Sequence, residues 1–263
     1  MNLLSDRELE RYQRQIMLPG FGKEAQEKLK ASTVLVTGVG GLGGTVALYL
    51  AVAGVGKLIL LRGGDLRLDD LNRQVLMTDE GVGKPRVFQA KENLNRLNPD
   101  VEVEAICEYV TTENVDRLVQ GVDAAVSCAH NFDERYLLNA ACILWDKPMV
   151  EAAMNSMEAY LTCVLPHKSP CLSCLFPEKP VWDRRGFGVL GAVSGTLACL
   201  AALETVKLLG GFGEPLVGQM LNMDLMSLNF QKLRLYHDPE CPVCGSQSPT
   251  DAKQATDLLK YLG

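Results

Sequence analysis

The stretch Val34-Leu35-Val36-Thr37-Gly38-Val39-Gly40-Gly41-Leu42-Gly43 decides the fold. Its apolar first half predicts a buried strand, and its glycines predict a tight turn into a helix. The amino end of a helix presents free N–H groups and the positive end of the helix dipole, which suit a phosphate. Gly38, Gly40, Gly41 and Gly43 are therefore candidate phosphate-binding residues. A strand-to-helix turn without any ligand is the alternative for the loop taken alone.

The second predicted strand, 57–61, ends without the acid of a dinucleotide-binding fold. That fold holds the ribose hydroxyls with Asp or Glu at this point, whereas Arg62-Gly63-Gly64 follows here. The chain keeps a phosphate cradle and changes the residues beside the sugar. The missing acid argues against a nicotinamide-dependent dehydrogenase.

Strand and helix patterns alternate over residues 1–154. This alternation predicts an α/β fold with a Rossmann-like, mostly parallel, doubly wound sheet and right-handed crossovers. Ahead of the sheet, Ser5-Asp6-Arg7-Glu8 predicts a capping box for a helix that runs to about Leu18, and a second helix is predicted over 23–30. The core strands are predicted at 33–37, 57–61, 101–106, 122–128 and 148–153, with helices at 42–53, 84–97, 112–120 and 131–146.

Residues 155–263 are predicted to form a smaller, partly antiparallel region of the same domain, which holds a metal site and binds a partner. Its predicted strands are 159–165, 216–223 and 228–236, with a long apolar helix over 195–209. The uncharged stretch 186–203 is long enough to raise the question of a membrane span. It is rich in glycine, and Glu204 and Lys207 follow directly, so a buried helix is predicted.

The composition is that of a globular protein with a sizeable core. The 263 residues are 47% apolar and 22% charged, which excludes a disordered chain. A net charge of -6 provides no general basic surface, so nucleic acid is not an expected partner. Charges lie within the first eight residues, where a signal peptide needs an apolar run. We therefore expect a cytoplasmic protein that does not bind a membrane.

In a cytoplasmic chain, where thiols stay reduced, nine cysteines predict a metal site rather than disulfide bonds. Cys171-Leu172-Ser173-Cys174 and Cys241-Pro242-Val243-Cys244 each have the two-residue spacer that lets two thiolates share a tetrahedral ion. Together they predict a closed, structural four-sulfur zinc site, since no histidine is expected beside either pair. Two unrelated pairs of free thiols are the alternative. The other cysteines are predicted to lie in the core: Cys107, Cys128, Cys142, Cys163 and Cys199.

Three further motifs follow the glycine loop, namely Asp69-Asp70-Leu71-Asn72-Arg73-Gln74, Gly81-Val82-Gly83-Lys84-Pro85-Arg86 and Leu97-Asn98-Pro99. In order and spacing they resemble the ubiquitin-activating (E1)-like family that includes ThiF, MoeB and HesA. The resemblance covers nearly the whole chain. Pro148-Met149-Val150-Glu151 and Gly191-Ala192-Val193-Ser194-Gly195-Thr196 look most like the HesA branch, which is associated with nitrogen-fixation gene clusters.

This resemblance implies an adenylyltransferase that uses ATP and Mg²⁺ on the C-terminal glycine of a small ubiquitin-like or sulfur-carrier protein. It also implies a link to sulfur or metal cofactor assembly for nitrogen fixation. Arg14 matches an arginine that family dimers insert into the neighbouring subunit's site, which implies a homodimer. Five residues are implied to line the phosphates, with Arg73 facing them: Asp70, Arg73, Gln74, Lys84 and Arg86.

The chain departs from the family at its acidic residues. Arg62 and Gly64 replace two usual acids, for which Asp65, Asp69 or Asp70 could substitute. His130 stands where the family has its magnesium-binding aspartate, and imidazole is a poor magnesium ligand. His130 is predicted either to contact a phosphate or a transition metal in a catalytic role, or to serve only as a capping or surface residue.

Two functions therefore remain open. The first is adenylation of a carrier protein. The second is a diverged binding protein that holds a nucleotide, a metal species or a partner during nitrogenase cofactor assembly and adenylates nothing.

Overall fold

The computed structural model describes residues 4–180 and 187–246. Its centre is an eight-stranded sheet in the order β3-β2-β1-β4-β5-β6-β7-β8. The strands are β1 (Thr33–Thr37), β2 (Lys57–Leu61), β3 (Glu102–Ile106), β4 (Ala124–Ser127), β5 (Met149–Asn155), β6 (Glu158–Val164), β7 (Gln219–Asp224) and β8 (Asn229–Arg234).

Helices cover both faces of this sheet. Two short 3₁₀ turns, at Leu68–Asp70 and Asp79–Gly81, lie between β2 and the next long helix. The α-helices are α1 (Asp6–Arg11), α2 (Gln13–Ile16), α3 (Gly22–Ala31), α4 (Gly43–Ala53), α5 (Arg86–Leu97), α6 (Val115–Gln120), α7 (Phe132–Leu144), α8 (Leu172–Leu175) and α9 (Gly191–Gly210).

The sheet is parallel from β3 through β5 and antiparallel from β5 to β8. Successive strands step outward from β1 to β2 and β3, and the chain then returns to place β4 on the other side of β1. Ligands of open α/β sheets bind at such a reversal, outside the carboxyl ends of the strands. The predicted mostly parallel sheet with a partly antiparallel second half is confirmed.

Alternate side chains of β1 enter two different core layers, as the period of a strand requires. Val34 and Val36 pack into a cluster with Leu50 of α4 and Leu197 of α9. Leu35 packs on the opposite face with residues of α6 and α7. Because β1 is buried on both faces, the position of the glycine loop after it is fixed by the core.

The N-terminal segment differs from the prediction of one helix through Leu18. The capping box is present, since the Ser5 side chain accepts from Glu8 N and the Glu8 side chain accepts from Ser5 N. The helix nevertheless breaks at Tyr12, which has φ -97° and ψ 6°. Tyr12 is 2% exposed, and Asn98 donates a 2.9 Å hydrogen bond to its hydroxyl oxygen. Burial of this side chain therefore overrides continuation of the helix.

Helix α9 is long and apolar enough to cross a membrane by length and composition. In the structure it packs on the sheet and on α3 and α4. Its residues Leu197, Ala198 and Ala201 are fully buried there. The division at residues 154 and 155 stays a prediction, and β5 and β6 pair directly across it.

Candidate functional site

The glycine loop leaves no room for a side chain at Gly38 or Gly43. Gly38 has φ +114°, and a Cβ there would lie 2.7 Å from the Cys128 carbonyl oxygen. A Cβ on Gly43 would overlap the Gly38 carbonyl oxygen. Gly44 N donates to Gly40 O at 2.8 Å and so begins the hydrogen bonding of α4. The loop is thus closed on itself by backbone contacts at the amino end of α4.

Arg73 and Gln74 flank this loop. A Cβ on Gly41 would lie 3.1 Å from both Cβ and Cγ of Arg73, and one on Gly40 would lie 3.8 Å from Nε2 of Gln74. The structure therefore brings together four glycines, an arginine and an amide that the sequence analysis grouped by resemblance. Their roles toward a nucleotide stay predictions.

Asp70 is the buried anion of this group. Its side chain is 8% exposed and lies 2.9 Å from Arg73 Nη2 and 3.4 Å from Arg86 Nη1. It also accepts a hydrogen bond from Arg67 N at 3.0 Å. Both carboxylate oxygens are therefore engaged, and the two arginines predicted to face phosphates share one internal counter-ion.

Arg86 contacts the loop that follows β2, and Arg62 belongs to that loop, where a dinucleotide-binding fold has its ribose-binding acid. Arg86 donates to Gly64 O at 3.3 Å and to Asp65 O at 2.5 Å. The Arg62 guanidinium stacks on the Tyr109 ring at 5.0 Å from its centroid. Arg62 thus contacts an aromatic ring at the point where a dinucleotide-binding fold places its acid.

Three other predicted site residues, Lys84, His130 and Arg14, are exposed. Lys84 is exposed just before α5, and His130 is exposed after β4. Asn131, rather than His130, caps α7 by accepting a 2.8 Å hydrogen bond from Glu134 N. Arg14 is exposed on α2, and its neighbour Gln15 donates to Ala53 O at the carboxyl end of α4. The structure therefore does not bring Arg14 to the glycine loop of its own chain.

The donor set around the loop fits Mg²⁺ poorly. Hard cations take carboxylate, carbonyl and water oxygens. Asp70 is paired with two arginines, and Asp69 is paired with Arg67 at 3.1 Å. His130 offers imidazole nitrogen where the family has an aspartate. Asp65 is exposed on the surface.

Ser194 and Asn72, to which the sequence analysis assigned no role, also lie at this surface. Ser194 Oγ lies 2.7 Å from where a Gly41 Cβ would stand, and the amino end of α9 packs on Asn72 and Arg73. Asn72 Nδ2 donates to Val189 O at 2.9 Å. Cys128 was assigned to the core, but it is half-buried under the loop, and burial raises the pKa of its thiol to about 12. The amino ends of α4 and α9 thus converge on one surface.

A buried ion pair lies beneath the end of β4. Arg135 of α7 pairs with Glu151 of β5, and the two side chains are 6% and 0% exposed. Tyr160 donates to Glu151 at 3.0 Å, and Arg135 donates to Ala152 O at 3.0 Å. Burial raises the pKa of Tyr160, so it stays a neutral donor. This network ties the strands next to the glycine loop to α7.

The four predicted zinc ligands meet at one point. The sulfurs of Cys171, Cys174, Cys241 and Cys244 all lie within 4.8 Å of one another. The Cys171–Cys241 and Cys174–Cys244 sulfur distances are 3.7 and 3.4 Å. A zinc ion with four Zn–S bonds of about 2.3 Å needs sulfurs about 3.8 Å apart. These residues fit structural zinc in size and in chemistry.

Two expectations about cysteine and histidine were wrong. His237 Nε2 lies 3.4 Å from the Cys244 sulfur and 3.0 Å from the Cys244 carbonyl oxygen, so a histidine does flank the cluster. Cys107 and Cys199 are exposed rather than in the core. Cys199 lies on a solvent-facing side of α9, and Cys107 lies just after the end of β3, which the sequence pattern alone did not reveal. Cys142 and Cys163 are buried as predicted.

The mostly parallel sheet with its strand-order reversal at β1, the glycine loop and the four-sulfur cluster together are typical of the fold of the E1-like adenylyltransferases. The model of the ThiF family matches residues 12–243, so the chain belongs to the ThiF family. The resemblance inferred from the motifs is therefore confirmed.

Similar proteins span almost the whole chain. "Protein HesA, heterocyst" of Trichormus variabilis is 66% identical over 255 residues, which cover 97% of this chain and 96% of that protein. "Sulfur carrier protein adenylyltransferase" of Thermus thermophilus is 39% identical over 266 residues, 97% of each chain. The structure of E. coli MccB with ATP has a TM-score of 0.82 at 25% identity, covering 93% of this chain and 76% of that one.

Proposed function

We propose that this protein uses ATP to adenylate the C-terminal glycine of a small ubiquitin-like or sulfur-carrier protein. One observation carries the proposal: the glycine loop, Arg73 and the amino ends of two helices converge on one surface at the reversal of the sheet. Helix amino ends and arginine are the groups that hold a polyphosphate. The relative named as a sulfur carrier protein adenylyltransferase supports the choice of substrate.

In the proposed reaction the loop N–H groups and Arg73 hold the phosphates. A carboxylate oxygen of the carrier tail attacks the α-phosphorus, the bond to the β-phosphate oxygen breaks, and pyrophosphate leaves with the electron pair. The product is an acyl adenylate. Positioning and charge stabilisation supply the rate in such a transfer, and Arg73 must first turn away from Asp70 to provide that charge.

No step of the proposed reaction uses magnesium, because the residues around the glycine loop do not fit this ion. Arg73, Lys84 and Arg86 are the cations available to offset phosphate charge, with Gln74 as a neutral donor. His130 is proposed to contact a phosphate, since it is exposed at the carboxyl end of β4 beside β1. A His130→Gln variant that keeps the nucleotide affinity of the parent would remove this role.

Arg14 is proposed to serve the partner's site in a homodimer. Its own glycine loop lies at the other end of α4, so the residue needs a second chain to act on a nucleotide. Mixing Arg14→Ala protein with Arg73→Ala protein tests this. Restored adenylation in the mixture is expected, and a monomer in solution would contradict it.

Structural zinc, a cytoplasmic location and a link to nitrogen fixation are also proposed. Zinc would fasten the loop before α8 to the segment after β8. Metal analysis should find one zinc per chain, and Cys174→Ser should lower both zinc content and the melting temperature. The nitrogen-fixation context depends on the resemblance to the HesA branch.

A second candidate is a binding protein that does not adenylate. The occupation of Arg73 and Arg86 by Asp70, together with the missing acids, favours it. ATP–pyrophosphate exchange with small diglycine-ended proteins separates the two functions, with Arg73→Ala as the inactive variant and Lys91→Ala as the matched surface control. Nucleotide binding without exchange selects the binder. Calorimetry that detects no binding of any adenine nucleotide, with any of several divalent ions, rules out adenylation and leaves only a protein that binds a metal species or a partner.

A further inference from the structure

A second concave surface, which we call the basic cleft, lies beside the four-sulfur cluster. Its volume is about 930 Å³. Its lining comes from Cys244 and His237, the end of β8, the segment that leads into β7, the loop before α8, and Ile143 of α7. Among its lining residues are Lys168, Lys232, Arg234 and Tyr236.

The basic cleft and the glycine loop lie at opposite ends of the strands of the sheet. The glycine loop follows the carboxyl end of β1. Val164 at the end of β6 pairs with Met149 at the start of β5, so the chain after β6 emerges at the amino ends of the parallel strands. Gln219 and Arg234, which pair with each other, lie at that same end of the sheet. The cleft is therefore separate from the proposed nucleotide site.

Three cations of the basic cleft have no carboxylate partner within the described part of the chain, although His167, which also lines the cleft, lies 3.9 Å from Asp146. No described carboxylate forms an ion pair with Lys168, Lys232 or Arg234, although the whole chain has a net charge of -6. The Arg234 guanidinium instead stacks on Tyr236 at 5.6 Å. The zinc thiolates offset part of this positive charge. Cations that converge on a cleft raise the local concentration of anions.

We propose that the basic cleft binds an extended acidic peptide segment of a partner protein. The cleft is much larger than one phosphate, and apolar Leu233 and Val217 also line it. Strand β8 is the last strand of the sheet and all six of its residues are exposed. Among the described residues no strand pairs with the outer edge of β8, so that edge offers backbone groups to an extended chain, and the charged side chains of β8, Lys232 and Arg234, select acidic residues.

Fluorescence anisotropy with the full-length, zinc-loaded protein tests the proposal. The probe is a labelled peptide of about ten residues in which glutamate alternates with valine, and a lysine–valine peptide is the control probe. Lys232→Glu with Arg234→Glu should weaken binding about tenfold, since each reversal removes an ion pair and adds repulsion. Both residues are exposed, and a melting curve checks that the variant is folded.

A Lys232→Glu single variant should also weaken binding, and Lys91→Glu is its matched control, because Lys91 is an exposed lysine of α5 and its reversal changes the net charge by the same amount. Lys91→Glu should leave peptide affinity unchanged. Equal weakening by Lys91→Glu and Lys232→Glu would show attraction by overall charge and overturn the proposal. The absence of peptide binding, or full displacement of the peptide by an equal concentration of pyrophosphate, would overturn it too.

Discussion

Replacing Asp70 by asparagine should tighten ATP binding while it destabilises the free protein. Asp70 holds Arg73 at 2.9 Å and Arg86 at 3.4 Å, and a polyphosphate must compete with it for Arg73. Asparagine keeps the shape and still accepts the hydrogen bond from Arg67 N. The substitution therefore removes the competing charge with little change in packing.

The magnitude follows from the burial of the pair. Asp70 is 8% exposed and Arg73 is 25% exposed, so their contact lies between a surface ion pair of about 0.2–1 kcal/mol and a charged hydrogen bond of about 1.5–3 kcal/mol. Taking about 1–2 kcal/mol, ATP affinity should rise about 5- to 30-fold. The melting temperature without nucleotide should fall by about 2–8 °C.

Isothermal titration calorimetry with ATP and thermal unfolding without it measure these two effects. Asp69→Asn is the control, because Asp69 loses the same charge one residue away and pairs only with the exposed Arg67. It should change neither quantity. If Asp70→Asn weakens ATP binding, Asp70 holds Arg73 in its binding position rather than competing for it. If Asp69→Asn tightens binding equally, the effect is one of net charge.

Three further predictions concern the loop, the buried ion pair and the buried thiols. Gly43→Ala should abolish ATP binding by calorimetry because its Cβ would overlap Gly38 O, whereas Gly195→Ala, whose Cβ meets nothing within 4 Å, should preserve it. Glu151→Gln should lower the free energy of unfolding in urea by about 3–5 kcal/mol because it leaves buried Arg135 unpaired, and replacing both by apolar residues should cost less. Burial raises the pKa of the Cys142 thiol, so the unfolded chain loses that proton first as pH rises. The contribution of Cys142 to the free energy of unfolding is complete below pH about 8.5 and should decline by about 1.4 kcal/mol per pH unit above it. Unfolding in urea across this pH range should show a smaller decline for Cys142→Ala, and an unchanged or steeper decline would contradict the prediction.

Local pattern was enough to predict most of the fold. The apolar run at 33–37 became β1, and the glycines after it became the turn into α4, because both are set by short-range sterics and burial. The two Cys-x-x-Cys pairs predicted their own meeting across the chain, since four thiolates with that spacing have few other uses. The change to antiparallel pairing after residue 155 also followed from strand spacing.

Contacts between distant segments could not be predicted in the same way. The Asp70 pairing with Arg86 and the Arg62 contact with Tyr109 depend on how the loop after β2 folds onto α5 and the segment after β3. Ser194 reaches the glycine loop only because α9 crosses the sheet. Tyr12 interrupts its helix because Asn98, far along the chain, holds its hydroxyl group.

The four clustered cysteines also become available at different times during synthesis. Cys171 and Cys174 are made long before Cys241 and Cys244, and α9, β7 and β8 lie between the two pairs. The ring that the metal closes cannot form until residue 244 has left the ribosome. With zinc bound as proposed, chains made in a zinc-starved cell would carry a finished glycine-loop half and an unfastened final hairpin, exposed to proteases until metal arrives.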